Sequence, residues 1–311
     1  MIQVGVYANC NNKCAFCTVK DTVPFTEDQI IQEIHNCREN IKYQDWEDKF
    51  SDGISIIGGE IYCDWGQRIK DEFLLLVDDI IEKILTVSKN PNCRFSTVTN
   101  GMYDPEWLLF PVVDKIAAAT PLGVQSCDIN FSYDLKYRFA TEDRRKLCES
   151  TINRFHEKYN YRTGVQMILT QYLIDEILYN GWRPSKFIDE VLPGNFLALL
   201  YPHPIHRGRD NNNGIRIKDF NFRRADLFKV LPIIQEDAPL TYRGFIESTR
   251  NSQSFKYTGN FFKSGTGPVD QPAILSDGKE FKNPSCSHSI LYQCYSDSTA
   301  CLLCDLENYD G

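Results

Sequence analysis

Short apolar runs alternate with amphipathic helical stretches through the first two-thirds of the chain, and this alternation limits the fold more than any other feature. Runs at residues 2–7, 54–57, 94–99, 164–170 and 196–201 have strand length and strand composition. Residues 122–133 offer two overlapping strand choices, 122–126 and 129–133. Between the runs, Thr26 and Gln29 fit a capping box, and Ile30, Ile34 and Cys37 then share one helical face. Phe73, Val77, Ile80, Ile81 and Ile84 mark a second helix, residues 107–119 a third, Cys148, Ile152, Phe155 and Tyr159 a fourth, and residues 173–179 a fifth. Cys37 and Cys148 therefore read as core residues. Strand–helix alternation predicts an α/β fold with a parallel sheet and external helices. Six such units suggest a partial (β/α)6 barrel open on one side, with its active site at the C-terminal ends of the strands.

Cys10, Cys14 and Cys17 follow the first apolar run as a CxxxCxxC array, with Phe16 just before the last cysteine. Three thiolates so close in sequence can converge on one cubane cluster, and three rather than four protein ligands leave one iron open. The alternatives are unrelated buried thiols or a zinc knuckle that borrows a distant fourth ligand. The array CNNKCAFC, with its aromatic, resembles the cluster loop of the radical S-adenosylmethionine (SAM) superfamily. That resemblance implies a [4Fe–4S] cluster whose open iron chelates SAM, and reductive cleavage of SAM to a 5′-deoxyadenosyl radical that abstracts hydrogen from a substrate. It also favours 129–133 as the fourth strand, because INFSYD is similar to that segment of many members. The triplet Gly58-Gly59-Glu60 ends the second run, about forty residues after Cys17. Two glycines after a strand are ordinarily a turn. By resemblance they seat the amino group of SAM, where a side chain would block the approach; Glu60 takes part there, or faces substrate or a lysine. The same resemblance places Thr99 and Asn100 beside the methionine moiety, Ser132 at the ribose and the segment at Tyr201 against the adenine. The alternative for each is a strand-end polar residue bonded to its own backbone, and for Ser132 the two readings weigh about equally. The glycine-rich fifth-strand pattern of the family is only partly present, with Gly164 alone.

From residue 211 the character changes, so the barrel is placed at 1–210 and a C-terminal extension at 211–311. One helix is expected around 216–235, KSGTGPVDQP reads as loop, and Asp277-Gly278 signals a hairpin. GTGP lacks the lysine and the strand–helix context of a phosphate loop. His203 and His206 are kept off a common helical face by Pro202 and Pro204. Cys286, Cys294, Cys301 and Cys304 then fall within 19 residues, dense enough for an auxiliary [4Fe–4S] cluster or tetrahedral zinc, with unliganded thiols as the alternative. Their order resembles the SPASM and twitch extensions of radical SAM enzymes, with ligands for at most one auxiliary centre.

Composition narrows the partners. A net charge of −8 without a long basic run argues against non-specific nucleic-acid binding. No apolar run approaches the ~20 residues of a membrane span, and Met1 leads straight into a strand-like run rather than a signal segment. A cytoplasmic protein is expected, its twelve cysteines thiols or metal ligands. The resemblance implies an electron donor such as flavodoxin or ferredoxin and leans to a peptide, protein or peptide-derived substrate. A nucleotide or other small-molecule substrate, and a non-catalytic iron–sulfur electron-transfer protein, are the alternatives. The residues assign no role to Cys63, Cys93 or Cys127.

Overall fold

The computed structural model describes residues 2–7, 9–14, 17, 23–43, 53–86, 94–200, 223–251, 261–263 and 267–269. They fall in two compact units, the first within residues 1–132, 137–164 and 259–270, the second within residues 133–136 and 165–258. The boundary expected at residue 210 lies outside the described residues.

In the first unit β1 (Ile2–Gly5), β2 (Gly53–Ile57), β3 (Arg94–Thr99) and β4 (Cys127–Tyr133) pair in parallel, with Val4, Ile56, Thr97 and Ile129 in one cross-strand row. All four members of the row are at most 1% exposed, and α1 (Glu27–Tyr43), α2 (Gln67–Thr86), α3 (Leu109–Ala119) and α4 (Glu142–Tyr159) follow β1 to β4 in turn. The helical faces read from the sequence are those buried, Ile30, Ile34 and Cys37 on α1, Phe73, Val77 and Ile80 on α2, Cys148, Ile152 and Phe155 on α4, except that Tyr159 at the end of the α4 face is half-buried. Cys37 donates to the Gly5 carbonyl at 3.4 Å, which ties α1 to the first strand. The expected capping box is present, Gln29 N donating to Thr26 Oγ1 at 3.4 Å and Thr26 N to Gln29 Oε1 at 2.9 Å.

The opposite face is polar along β4, though Ile57 on β2 and Val98 on β3 share it. Along β4, Cys127, Ile129, Phe131 and Tyr133 are buried, whereas the alternating Asp128, Asn130 and Ser132 are half-buried. Of the two strand choices at 122–133 the later one holds, since Gly123–Ser126 is a short 3-10 turn. The sheet also gains a hairpin. β7 (Phe261–Lys263) lies parallel to β1 and β8 (Gly267–Val269) antiparallel to β7. This corrects the loop reading of KSGTGPVDQP at Lys263 and Gly267–Val269, the residues of it that are described: strand pairing supplied by β1 outweighs a local composition rich in glycine and proline.

In the second unit β5 (Gly164–Ile168) neighbours β6 (Phe196–Leu200), with Leu169 N, just past β5, donating at 2.8 Å to the carbonyl of Leu200 at the end of β6. Around them lie α5 (Gln171–Tyr179), α6 (Pro184–Val191), α7 (Arg224–Asp237) and α8 (Pro239–Asn251). α6 carries no signal in the sequence. It begins with proline in its first turn, and its Ser185 amide and hydroxyl donate to Asp237 at the end of α7, at 2.9 and 2.6 Å. The α/β class and the six strands alternating with helices agree with the expectation of a partial (β/α)6 fold. Among the described residues no helix is long and apolar enough to cross a membrane.

Candidate functional site

The candidate site lies in the first unit, where the chain leaves the C-terminal ends of β1, β2 and β3. Pairing of β1 with β2 continues past the strands. Val6 N donates to Ile57 O at 3.0 Å, Gly59 N to Tyr7 O at 2.8 Å and Glu60 N to Asn9 O at 2.8 Å. The approach to Cys10 and the Gly58-Gly59-Glu60 turn therefore run side by side. At Gly58 a Cβ would stand 2.7 Å from the Tyr7 carbonyl oxygen, so the close backbone approach requires glycine there. The loop is closed at its base by Asn9, which is 7% exposed. Its Nδ2 donates to Phe25 O at 2.9 Å, and its Oδ1 accepts from Phe25 N at 2.7 Å.

Cys14 is buried and Cys10 and Cys17 are half-buried, with Cys17 N donating to Cys14 O at 3.0 Å. Amide donors point at two of the sulfurs. Asn12 N and Asn100 Nδ2 lie 3.4 and 3.7 Å from Cys10 Sγ, and Asn12 Nδ2 lies 3.0 Å from Cys14 Sγ. Burial pushes the Cys10 thiol up to about 11, against the pull of the Asn12 amide; a bound cation reverses that balance. Among the described residues no three Cys, His, Asp or Glu side chains are gathered as a single-ion site. A cubane binds each thiolate at a different iron, and amide donors on thiolate sulfur are its usual surroundings. The donor set thus suits a [4Fe–4S] cluster.

Glu60 is 1% exposed and lies beneath the loop. Its carboxylate accepts from Asn100 N at 2.6 Å, Thr99 Oγ1 at 2.8 Å and Tyr62 N at 3.3 Å. Burial raises its carboxyl to about 7, opposed by those three donors and by Arg138. Thr99 is 2% exposed and its hydroxyl also meets Tyr103 Oη at 2.7 Å. Glu60 and Thr99 therefore bond to each other, locking the end of β2 to the end of β3. Asn100 faces the loop instead: its Nδ2 donates to Asn11 Oδ1 at 2.8 Å and its Oδ1 accepts from Met102 N at 2.8 Å. Ser132 stands on the half-buried, polar face of β4. Phe16, Tyr201, Cys93 and the tail cysteines Cys286, Cys294, Cys301 and Cys304 lie outside the described residues.

Several residues of this region carry no sequence signal. Asn11 Nδ2 donates to Met102 O at 2.7 Å, and Asn12 Nδ2 to Arg138 O at 2.8 Å. Arg144 Nη1 reaches both Asn11 O and Asn12 Oδ1. Cys63 is 7% exposed; its thiol, pushed up by burial and by the nearby Glu60 and Cys10, receives the Asn11 amide. Cys127 is wholly buried on β4. For Asn11 and Asn12 the one signal that could have found them is their place between the cysteines.

No protein-family model matches the sequence, and no curated protein matches it. Among solved structures the chain is similar to a hexahistidine-tagged anSMEcpe with bound AdoMet, with a TM-score of 0.47, 14% identity, and 82% of this chain and 65% of that chain covered. It is also similar to the crystal structure of Streptococcus suis SuiB, with a TM-score of 0.34, 13% identity, and 70% and 54% covered. The chain thus spans less than two thirds of the length of either. At these TM-scores neither likeness carries an argument about function, which rests on the residues themselves.

Proposed function

We propose that this chain is a radical SAM enzyme. Cys10, Cys14 and Cys17 hold a [4Fe–4S] cluster, Gly58 and Gly59 seat the methionine end of SAM, and the tail cysteines hold a second cluster or zinc. The observation that carries the reading is the meeting of the three-cysteine loop, the glycine turn and Asn100 at one set of strand ends, with amide donors on the sulfurs of Cys10 and Cys14.

When bound, the cluster and SAM supply one-electron cleavage of the sulfonium and a 5′-deoxyadenosyl radical that takes hydrogen from the substrate. The chain's own part is orientation. Glu60 and Thr99 tie the glycine turn to the end of β3, and the Gly59 and Glu60 amides tie it to the approach to Cys10. Asn100 connects that turn to the loop, its amide N–H on Glu60 and its side chain on Asn11 and Cys10. Ser132, on the polar face of β4, is the proposed ribose contact, and the segment at Tyr201 the proposed adenine contact. The substrate class we propose is a peptide, protein or peptide-derived molecule, supported by the likeness of the tail to auxiliary-cluster extensions. An electron donor of the flavodoxin or ferredoxin kind would serve the cluster.

Anaerobic reconstitution with iron and sulfide tests the reading. The reduced protein should hold a cluster whose paramagnetic resonance spectrum changes when SAM is added, and Cys17→Ala should lose that signal. Replacing Cys301 and Cys304 should remove about half of the iron if both centres are [4Fe–4S]. A wild-type spectrum indifferent to SAM would overturn the assignment.

A further inference from the structure

We propose that Arg144 is a positioning residue for the cysteine loop, acting through Asn11 and Asn12 to aim an amide N–H at the sulfur of Cys14. The proposal rests on the cluster reading above for its consequence, though not for its geometry. Arg144 is the third residue of α4, and its backbone N–H is held by the capping hydroxyl of Thr141 at 3.4 Å. Its neighbour Arg145 pairs with Glu142 and Glu149 along the same helix. Arg144 turns the other way. Its Nη1 donates to Asn11 O at 2.8 Å and to Asn12 Oδ1 at 3.2 Å, across 133 and 132 positions of sequence, and no carboxylate pairs with it among the described residues.

A guanidinium has donors only. The oxygen of the Asn12 amide must therefore face Arg144, which leaves its NH2 group for the other side, where it donates to Arg138 O at 2.8 Å and Cys14 Sγ at 3.0 Å. Asn12 is 6% exposed, so water does not compete freely for these groups. A side-chain amide has two faces that differ only by a half-turn. A half-turn would set the carbonyl against both Arg138 O and the Cys14 sulfur, so the amide is held from two sides, by Arg138 O as acceptor and by Arg144 as donor; removing Arg144 takes away half of that lock and lets the N–H drift off the sulfur. Arg144 also brings positive charge close to the loop. Both effects favour the more negative, reduced state of a cluster bound at Cys14 and so raise its potential.

The test uses the full chain with Arg144→Ala and Arg144→Lys, read in two ways. In the metal-free protein, hydrogen exchange of the peptide spanning residues 9–17 should quicken at least tenfold in Arg144→Ala while the sheet keeps its protection. Arg144→Lys should fall between, because an ammonium lacks the fork that reaches both acceptors. In the reconstituted protein, the SAM-responsive cluster of Arg144→Ala should show a roughly tenfold poorer reduction equilibrium, a downward shift of about 59 mV for one electron. Should Arg144→Ala not fold, Arg144→Gln, neutral and nearly as long, takes its place with the same expectations. Exchange and potential both equal to wild type in a folded variant would overturn the proposal. A wild-type protein with no SAM-responsive cluster would instead sink the functional reading, and the exchange experiment would still decide the role of Arg144.

Discussion

The backbone N–H of Asn100 donates to the carboxylate of Glu60 at 2.6 Å, joining the end of β3 to the turn after β2. With Thr99 Oγ1 on the other carboxylate oxygen, Glu60 serves as a buried cross-brace under the cysteine loop. Glu60→Ala should cost about 3 kcal/mol in chemical denaturation, because it leaves the Asn100 and Tyr62 amides without their buried acceptor. Thr99→Val, which removes one donor, should cost about 1 kcal/mol. Equal losses in the two variants would contradict the brace.

The same residue should give stability a pH dependence. The Glu60 carboxyl lies at about 7 in the folded chain against an ordinary 4.5, so the folded state holds its proton more tightly than the unfolded chain does. Its favourable contribution is full below pH 4.5 and is lost as pH rises through about 7, a change of about 3 kcal/mol. The groups facing it are Arg138, which opposes the shift, and Tyr7, Tyr62, Tyr103, Cys10, Cys63 and Cys148, all pushed upward and neutral over this range. Urea unfolding of the metal-free protein at about pH 5 and about pH 8 should show wild type losing more stability than Glu60→Gln. Parallel profiles would remove Glu60 as the cause.

Gly101 turns the chain after β3 with φ +67°, and a Cβ there would lie 3.1 Å from Phe131 Cδ1 and 3.2 Å from Cys148 Sγ. Gly101→Ala should lose about 2 kcal/mol, from left-handed strain and crowding together. The loss should be smaller in a Cys148→Ala background, where the sulfur is gone, and a thermodynamic cycle measures the difference.

Gly58→Ala should act on the site more than on stability. The added Cβ meets backbone, the Tyr7 carbonyl, so the turn must shift and the Gly59–Tyr7 bond lengthen. SAM affinity of the reconstituted protein should fall at least tenfold with iron content unchanged. Gly66→Ala, where φ is +110° and a Cβ meets nothing within 4 Å, should leave SAM affinity as it was.

Local signals were the legible ones. The Thr26–Gln29 capping box, the buried stripes of α1, α2 and α4 and the packing roles of Cys37 and Cys148 all depend on residues within a turn or two of each other. α6 leaves little trace because it has only eight residues and its first turn is held by Asp237, 52 positions from Ser185, and α8 because Pro239 at its start and Gly244 at its centre both read as loop. The β7–β8 hairpin was hidden because its glycine and proline read as loop until β1 supplies a partner. At the site, cysteines and glycines stood out by spacing. Arg144 did not, because a bond across 133 residues to a backbone carbonyl leaves no pattern along the chain.

The central claim is that Cys10, Cys14 and Cys17 support reductive cleavage of SAM. The most direct measurement is chromatographic assay of 5′-deoxyadenosine after anaerobic reconstitution, reduction and addition of SAM, with Cys17→Ala treated identically. Wild type should form 5′-deoxyadenosine, and Cys17→Ala none above background. Wild-type protein that binds iron yet forms no 5′-deoxyadenosine, or equal formation by the variant, would contradict the claim.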